Sequence, residues 1–103
     1  MKQYVKRSGS GPIDVTVDPG KSWLLHEIRL HLSANGGAGT YTAKIKSSVS
    51  EAYDVVLQSQ DMTSVADNIF RPAQPARIAS TDGIRMEYAN ASSRVWGLEV
   101  VLS

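Results

Sequence analysis

Apolar and polar residues alternate at a period of two along most of this chain, which is the pattern of strands buried on one face only. It is clearest at the end, Arg94 to Leu102, where Trp96, Leu98, Val100 and Leu102 fall on one side and predict a well-buried closing strand. Ile13, Val15 and Val17 alternate with Asp14 and Thr16. Tyr41, Ala43 and Ile45 alternate with Thr42, Lys44 and Lys46. Tyr53, Val55 and Leu57 make another strand with Asp54 and Gln58 turned outward, and Ile84, Met86 and Tyr88 another. Shorter extended pieces are predicted at Gln3 to Lys6, at Ile69 and Phe70, and at Ala76 to Ile78.

Ser22 to Ser33 fits two templates. Leu24, Ile28 and Leu32 match a helix, whereas Leu24, Ile28, Leu30 and Leu32 match a strand interrupted at His26. Strict alternation over Ile28 to Leu32, and the Gly-rich loop Ala34 to Gly39 that follows, favour the strand. Asp18-Pro19-Gly20-Lys21 has the residues of a type II turn, and Asp82-Gly83 reads as a tight turn. Asp61 to Pro75 has no clean period, so it is expected to be a long connection with one helical turn near Ser64. Seven to eight short strands at this spacing predict an all-β, antiparallel β-sandwich of jelly-roll type.

The face assignment leaves an anomaly. With Leu24, Ile28, Leu30 and Leu32 pointing in, Trp23 and Leu25 point out; with Trp96, Leu98, Val100 and Leu102 pointing in, Val95 and Val101 point out. Outward apolar residues on two strands imply a second covered face. Trp23, Leu25, Val95 and Val101 are therefore the candidate subunit interface of a homo-oligomer, with Trp23 and Val101 foremost.

A length of 103 residues suits one domain. Lys2, Lys6 and Arg7 precede the linker-like Ser8-Gly9-Ser10-Gly11-Pro12, so residues 1–12 read as a flexible basic arm and 13–103 as the single β-sandwich domain. Lys2, Lys6 and Arg7 are the candidate docking residues of that arm. Overall, 11 basic residues against 10 acidic ones give no nucleic-acid footprint. The chain has no cysteine, which excludes disulfides, thiol catalysis and Cys-based zinc sites. It shows neither a secretory leader nor an apolar run that would span a membrane, so no membrane partner is expected.

Motifs that would carry chemistry fail on spacing. Gly20-Lys21-Ser22 lacks the glycine five residues earlier that a phosphate loop needs, since Val15 stands there. His26 and His31 are one residue too far apart for a zinc-protease helix and lie on opposite faces of a strand, so each is expected in a separate hydrogen-bond network. No Gly-x-Ser-x-Gly elbow is present, and Glu51, Asp54, Asp61, Asp67 and Asp82 are dispersed in turns and on strand exteriors. Gly36, Gly37 and Gly39 read as a hairpin loop rather than an anion nest. No catalytic, cofactor-binding or metal-binding residue is nominated, and no enzyme is expected.

Four segments carry a resemblance: Pro19-Gly20-Lys21-Ser22-Trp23, Leu25 to Ser33, Ala52 to Leu57, and Trp96-Gly97-Leu98-Glu99-Val100-Val101. Together they resemble a group of small proteins of tailed bacteriophages and prophages, over roughly Asp18 to Leu102. The resemblance implies a single jelly-roll or related β-sandwich domain of the virion, made in the bacterial host cytoplasm. Such a domain would act without catalysis as a capsid decoration (cement) protein or a collar, neck or tail component. Its implied partners are other copies, with a trimer favoured, and virion proteins such as the major capsid or tail protein. The alternative is a carbohydrate-binding β-sandwich in a host-recognition device, for which Trp23, Tyr41, Tyr53 and Tyr88 are the available aromatic platforms.

Overall fold

The alternating segments become nine strands in the computed structural model, which describes residues 2–103. In chain order they are β1 (Gln3–Gly9), β2 (Ile13–Val17), β3 (Trp23–Leu32), β4 (Thr40–Lys46), β5 (Val55–Asp61), β6 (Asp67–Phe70), β7 (Ala76–Ile78), β8 (Gly83–Tyr88) and β9 (Trp96–Leu102). One sheet has the order β1-β9-β3-β6, with β7 beside β6 on the same edge of β3, and the other β2-β8-β4-β5. All the strand pairs are antiparallel.

The order identifies the fold. β1 pairs with β9, β2 with β8, β3 with β6 and β4 with β5, so the chain is one long hairpin whose tip is the β4–β5 connection. Rolling that hairpin adds the pairs β3–β9 and β4–β8 and makes two facing four-strand sheets, which is the jelly-roll topology expected from the sequence. Short β7 is the extra piece. Pro72 and Pro75 divide it from β6, because proline cannot donate to a continuing ladder.

Two departures from the sequence-based reading matter. Residues 1–12 are not a flexible arm as far as the described residues go: Gln3 to Gly9 pairs residue for residue with Leu102 to Trp96. The segment Ser8 to Pro12 has linker composition, yet Trp96 and Asn90 pin it. Trp96 Nε1 donates to Gly11 O at 3.0 Å, and Asn90 Nδ2 reaches Ser10 O at 3.3 Å and Gly11 O at 2.9 Å. Gly9 lies against the Trp96 ring so closely that a Cβ there would sit 3.0 Å from Cζ2. A side chain there would make the ring give by a few tenths of an ångström, so Gly9 serves close packing, and flexibility is the wrong inference from it.

The second departure is a change of phase within β3. Leu25 pairs with Leu102 and Glu27 with Val101, so His26 is an extra residue, a β-bulge. A one-residue insertion moves every side chain before it to the opposite face. Trp23 and Leu25 therefore join Ile28, Leu30 and Leu32 in the core, with Trp23 9 % exposed and Leu25 fully buried. The core also takes Ile13, Tyr41, Ala43, Ile84, Met86, Tyr88, Trp96, Leu98, Val100 and Leu102. Burial pushes the Tyr41 phenol up from its ordinary value.

Smaller differences follow from the roll. Tyr53 belongs to a 3₁₀ turn, Glu51–Tyr53, capped by Ser50 Oγ accepting from Ala52 N at 3.2 Å, and β5 begins only at Val55. The glycine loop after β3 is a crossover between sheets rather than a hairpin. The chain reverses before β8 through a turn closed by Asp82 N to Ala79 O at 3.0 Å, so Gly83 is the first strand residue rather than a turn centre. The Asp18 to Lys21 turn is as expected, with Gly20 at a φ of 75°.

Candidate interaction face

Beyond the bulge, Glu27, Arg29 and His31 alternate with inward Ile28, Leu30 and Leu32 and so belong to the outer face of the β1-β9-β3-β6 sheet. Reading across the registers, one row is Tyr4, Val101 and Glu27, the next Lys6, Glu99, Arg29 and Ile69, and the third Ser8, Gly97, His31 and Asp67. Arg71, just beyond β6, reaches back to the first row. The face is thus a small lattice of alternating charge, interrupted by a missing side chain at Gly97.

Its charges form one connected ladder. Arg71 Nη2 meets Glu27 Oε1 at 2.8 Å, Arg29 bridges Glu27 Oε2 and Glu99 Oε1 at 2.8 Å each, and Lys6 Nζ lies 3.6 Å from Glu99 Oε2. Glu27 is only 7 % exposed. Hydrogen bonds from Arg29 and then Arg71 hold its carboxyl down at about 2, against the desolvation that would raise it. The same bond raises Arg29 above its ordinary value. His31 Nδ1 pairs with Asp67 Oδ1 on the exposed end of the lattice. Beside this ladder the face is hollowed into a shallow groove of about 750 Å³, floored at Gly97 and Leu98 and flanked by Lys6, Arg7 and Ile69.

The nominated interface residues are not brought together. Trp23 and Leu25 are in the core, which corrects their outward assignment, and Lys21 Nζ caps the Trp23 ring 4.8 Å from its centroid. Val101 does face outward, but in the row between Tyr4 and Glu27, where it is 3 % exposed. Val95 is 60 % exposed just before β9. Of the docking residues, Lys6 belongs to the ladder and Arg7 donates to Lys6 O at 2.8 Å, while Lys2 precedes β1 and is exposed. Tyr4 and Ile69 are the large apolar residues that do stand out on this face, at 55 % and 57 % exposed. Alternation could have found Tyr4 had residues 3–9 been taken as a full strand.

The other sheet also carries paired charges outside. Lys44 contacts Glu87 at 2.9 Å and Asp54 at 3.5 Å, and Arg85 contacts Asp14, Glu51 and Glu87 at 3.0 to 3.5 Å. Val49, Tyr53, Val55 and Val56 stand exposed at its β5 end. Three of the four aromatic platforms considered for a sugar, Trp23, Tyr41 and Tyr88, are buried. His26 goes to Ser103 Oγ and His31 to Asp67, so the two histidines do have separate partners. Among the described residues no three His, Asp or Glu side chains converge as a metal site, and no helix is long and apolar enough to cross a membrane.

No protein-family model matches this chain, and no curated protein matches it. Among solved structures, it is similar to a chain in a structure of infectious bursal disease virus, Gx strain, at 13 % identity and a TM-score of 0.35. That superposition covers 100 % of this chain and 32 % of the other, so this chain spans about a third of the length of the chain it matches. An overlap this loose says nothing about role.

Proposed function

We propose that this chain is a non-enzymatic structural protein of a bacteriophage virion, an oligomeric jelly roll that sits on a capsid as a decoration or cement protein, or on a neck or tail surface. One observation carries this: the outer face of the β1-β9-β3-β6 sheet is a pre-ordered lattice of paired charges with Tyr4 and Ile69 exposed among them. Such a face suits contact with another rigid surface, where complementary charges set register and a few apolar side chains supply burial. The resemblance of Asp18 to Leu102 to small phage and prophage proteins supports the same reading, and so does the pairing of residues 3–9 with residues 96–102 within the sheet.

The test is quantitative mass spectrometry of purified phage particles from a host that carries this gene. A fixed copy number per particle, lost when the gene is deleted, is the expected result. Particles that lack the chain altogether would overturn the proposal.

A further inference from the structure

The charge lattice has a property that no single ion pair shows. Take strands about 4.8 Å apart and outward rows about 6.8 Å apart. On that grid Ile69, a knob 57 % exposed, lies two strands and one row from Gly97, where even an added Cβ would meet nothing within 4 Å. One two-fold axis in the plane of the face puts the knob of each copy into the gap of the other. Choosing that pair leaves the axis no further in-plane freedom.

The remaining contacts then follow. Arg29 falls opposite Glu99 of the second copy, Lys6 opposite Glu27, and His31 opposite Asp67, each cation or imidazole meeting a carboxylate. Tyr4, 55 % exposed, falls near the axis, against the second copy's Tyr4 and Val101. Arg29, Glu99, His31 and Asp67 lie as near the axis as Tyr4, so each also neighbours its own copy, about 4 Å away in projection, but the opposite charge is nearer, at about 3 Å. We propose that the outer face of the β1-β9-β3-β6 sheet is an isologous contact with a second copy of this chain, with Ile69 seated over Gly97 in both directions.

A two-fold contact of this kind is self-complementary. The strands of the two sheets cross steeply in it, toward the orthogonal class of sheet packing, in which twisted sheets meet along a diagonal. The groove beside Gly97, about 750 Å³ in volume, is the space that the partner's Ile69 and its neighbours enter. The inference rests on the oligomer in the reading above and supplies its surface, and it replaces the sequence-based trimer with a pair at this face.

The chain has no cysteine, so directed crosslinking is clean. Within one chain positions 69 and 97 are about 12 Å apart on the grid, too far for a disulfide, which needs Cα atoms within about 7 Å. Ile69→Cys and Gly97→Cys are prepared separately, mixed and oxidised. The expected result is a crosslinked dimer in the mixture and little in either variant alone. In parallel, light scattering behind a sizing column should show wild-type protein shifting from monomer to dimer mass with concentration. Gly97→Glu should lose that shift while keeping its melting temperature.

Three results overturn the proposal: wild-type monomer at every concentration, equal crosslinking in the single variants and the mixture, or assembly that survives Gly97→Glu and is lost in Val56→Lys on the other sheet. The last would still leave a structural oligomer built through the exposed β5 end. Failure of the particle assay with the dimer intact would leave this contact standing without the virion.

Discussion

Trp96 tests whether the first strand belongs to the fold. Its ring is 7 % exposed and lies over Gly9, and its Nε1 donates to Gly11 O at 3.0 Å. Trp96→Ala removes the ring and the bond together and should cost about 3 to 5 kcal/mol, a large part of the roughly 5 to 15 kcal/mol that stabilises a domain. Trp96→Phe is more discriminating. It keeps much of the apolar contact and removes one of the two donors to Gly11 O, leaving Asn90 Nδ2, so the lost bond and the smaller ring together should cost about 1 to 2 kcal/mol. At roughly 4 to 8 °C per kcal/mol for a chain of this size, Tm should fall by about 5 to 15 °C. Circular dichroism melts measure that, and amide exchange locates it. In the wild type, amides of Gln3 to Gly9 that face β9 should be protected, and in Trp96→Phe they should lose protection before those of β3. Wild-type β1 amides exchanging as in an unfolded peptide would refute the argument and restore the free arm.

Three further outcomes follow from the same geometry. Trp23→Ala should lower stability by about 3 to 5 kcal/mol, because the bulge at His26 puts Trp23 in the core; a variant with unchanged Tm and altered association would put it back on the surface. Asn90 has a φ of 54°, is 4 % exposed, and holds Gly11 O, Arg94 O and Arg94 N at 2.9 to 3.0 Å, so Asn90→Ala should cost about 2 to 4 kcal/mol, and a chemical-denaturation midpoint equal to wild type would contradict the clamp. Glu27 has its folded pKa held at about 2 against an ordinary 4.5, so its stabilisation is complete above 4.5 and lost as pH falls through 2. Because Arg29 and Arg71 both reach solvent, we set that contribution at about 1.5 kcal/mol. Denaturant midpoints of wild type and Glu27→Gln should differ at neutral pH and converge near pH 2, whereas a pH-independent gap would show that Glu27 acts through packing alone.

The period-two pattern made the architecture legible, because buried strands must alternate whatever their partners. Trp96, Leu98, Val100 and Leu102 are inward as the spacing requires, and the Asp18 to Lys21 turn has the glycine that its conformation demands. What alternation does not carry is phase across an irregularity. His26 gives no local sign of being the extra residue of a bulge; only the partner strand, where Leu102 and Val101 are consecutive, shows that Leu25 and Glu27 are one step apart. That single step turned Trp23 and Leu25 from candidate interface into core. Glu27, after the bulge, keeps the outward place that alternation with Ile28 gives it.

The same limit explains the first strand. Ser8, Gly9, Ser10 and Gly11 have the composition of a linker, and composition reports how many conformations the free chain can visit. It does not report which backbone groups a distant side chain will claim. Trp96 and Asn90, some eighty residues later, claim Ser10 and Gly11, and that claim brings β1 into the sheet. With β1 in place, Lys6 becomes the outer rung of the Glu99, Arg29, Glu27 ladder rather than a tail charge. The basic residues at the start and the missing side chain at Gly97 thus belong to one surface, although they lie at opposite ends of the chain. Any functional account that treats residues 2–9 as removable therefore removes one strand of the face that the proposed contact uses.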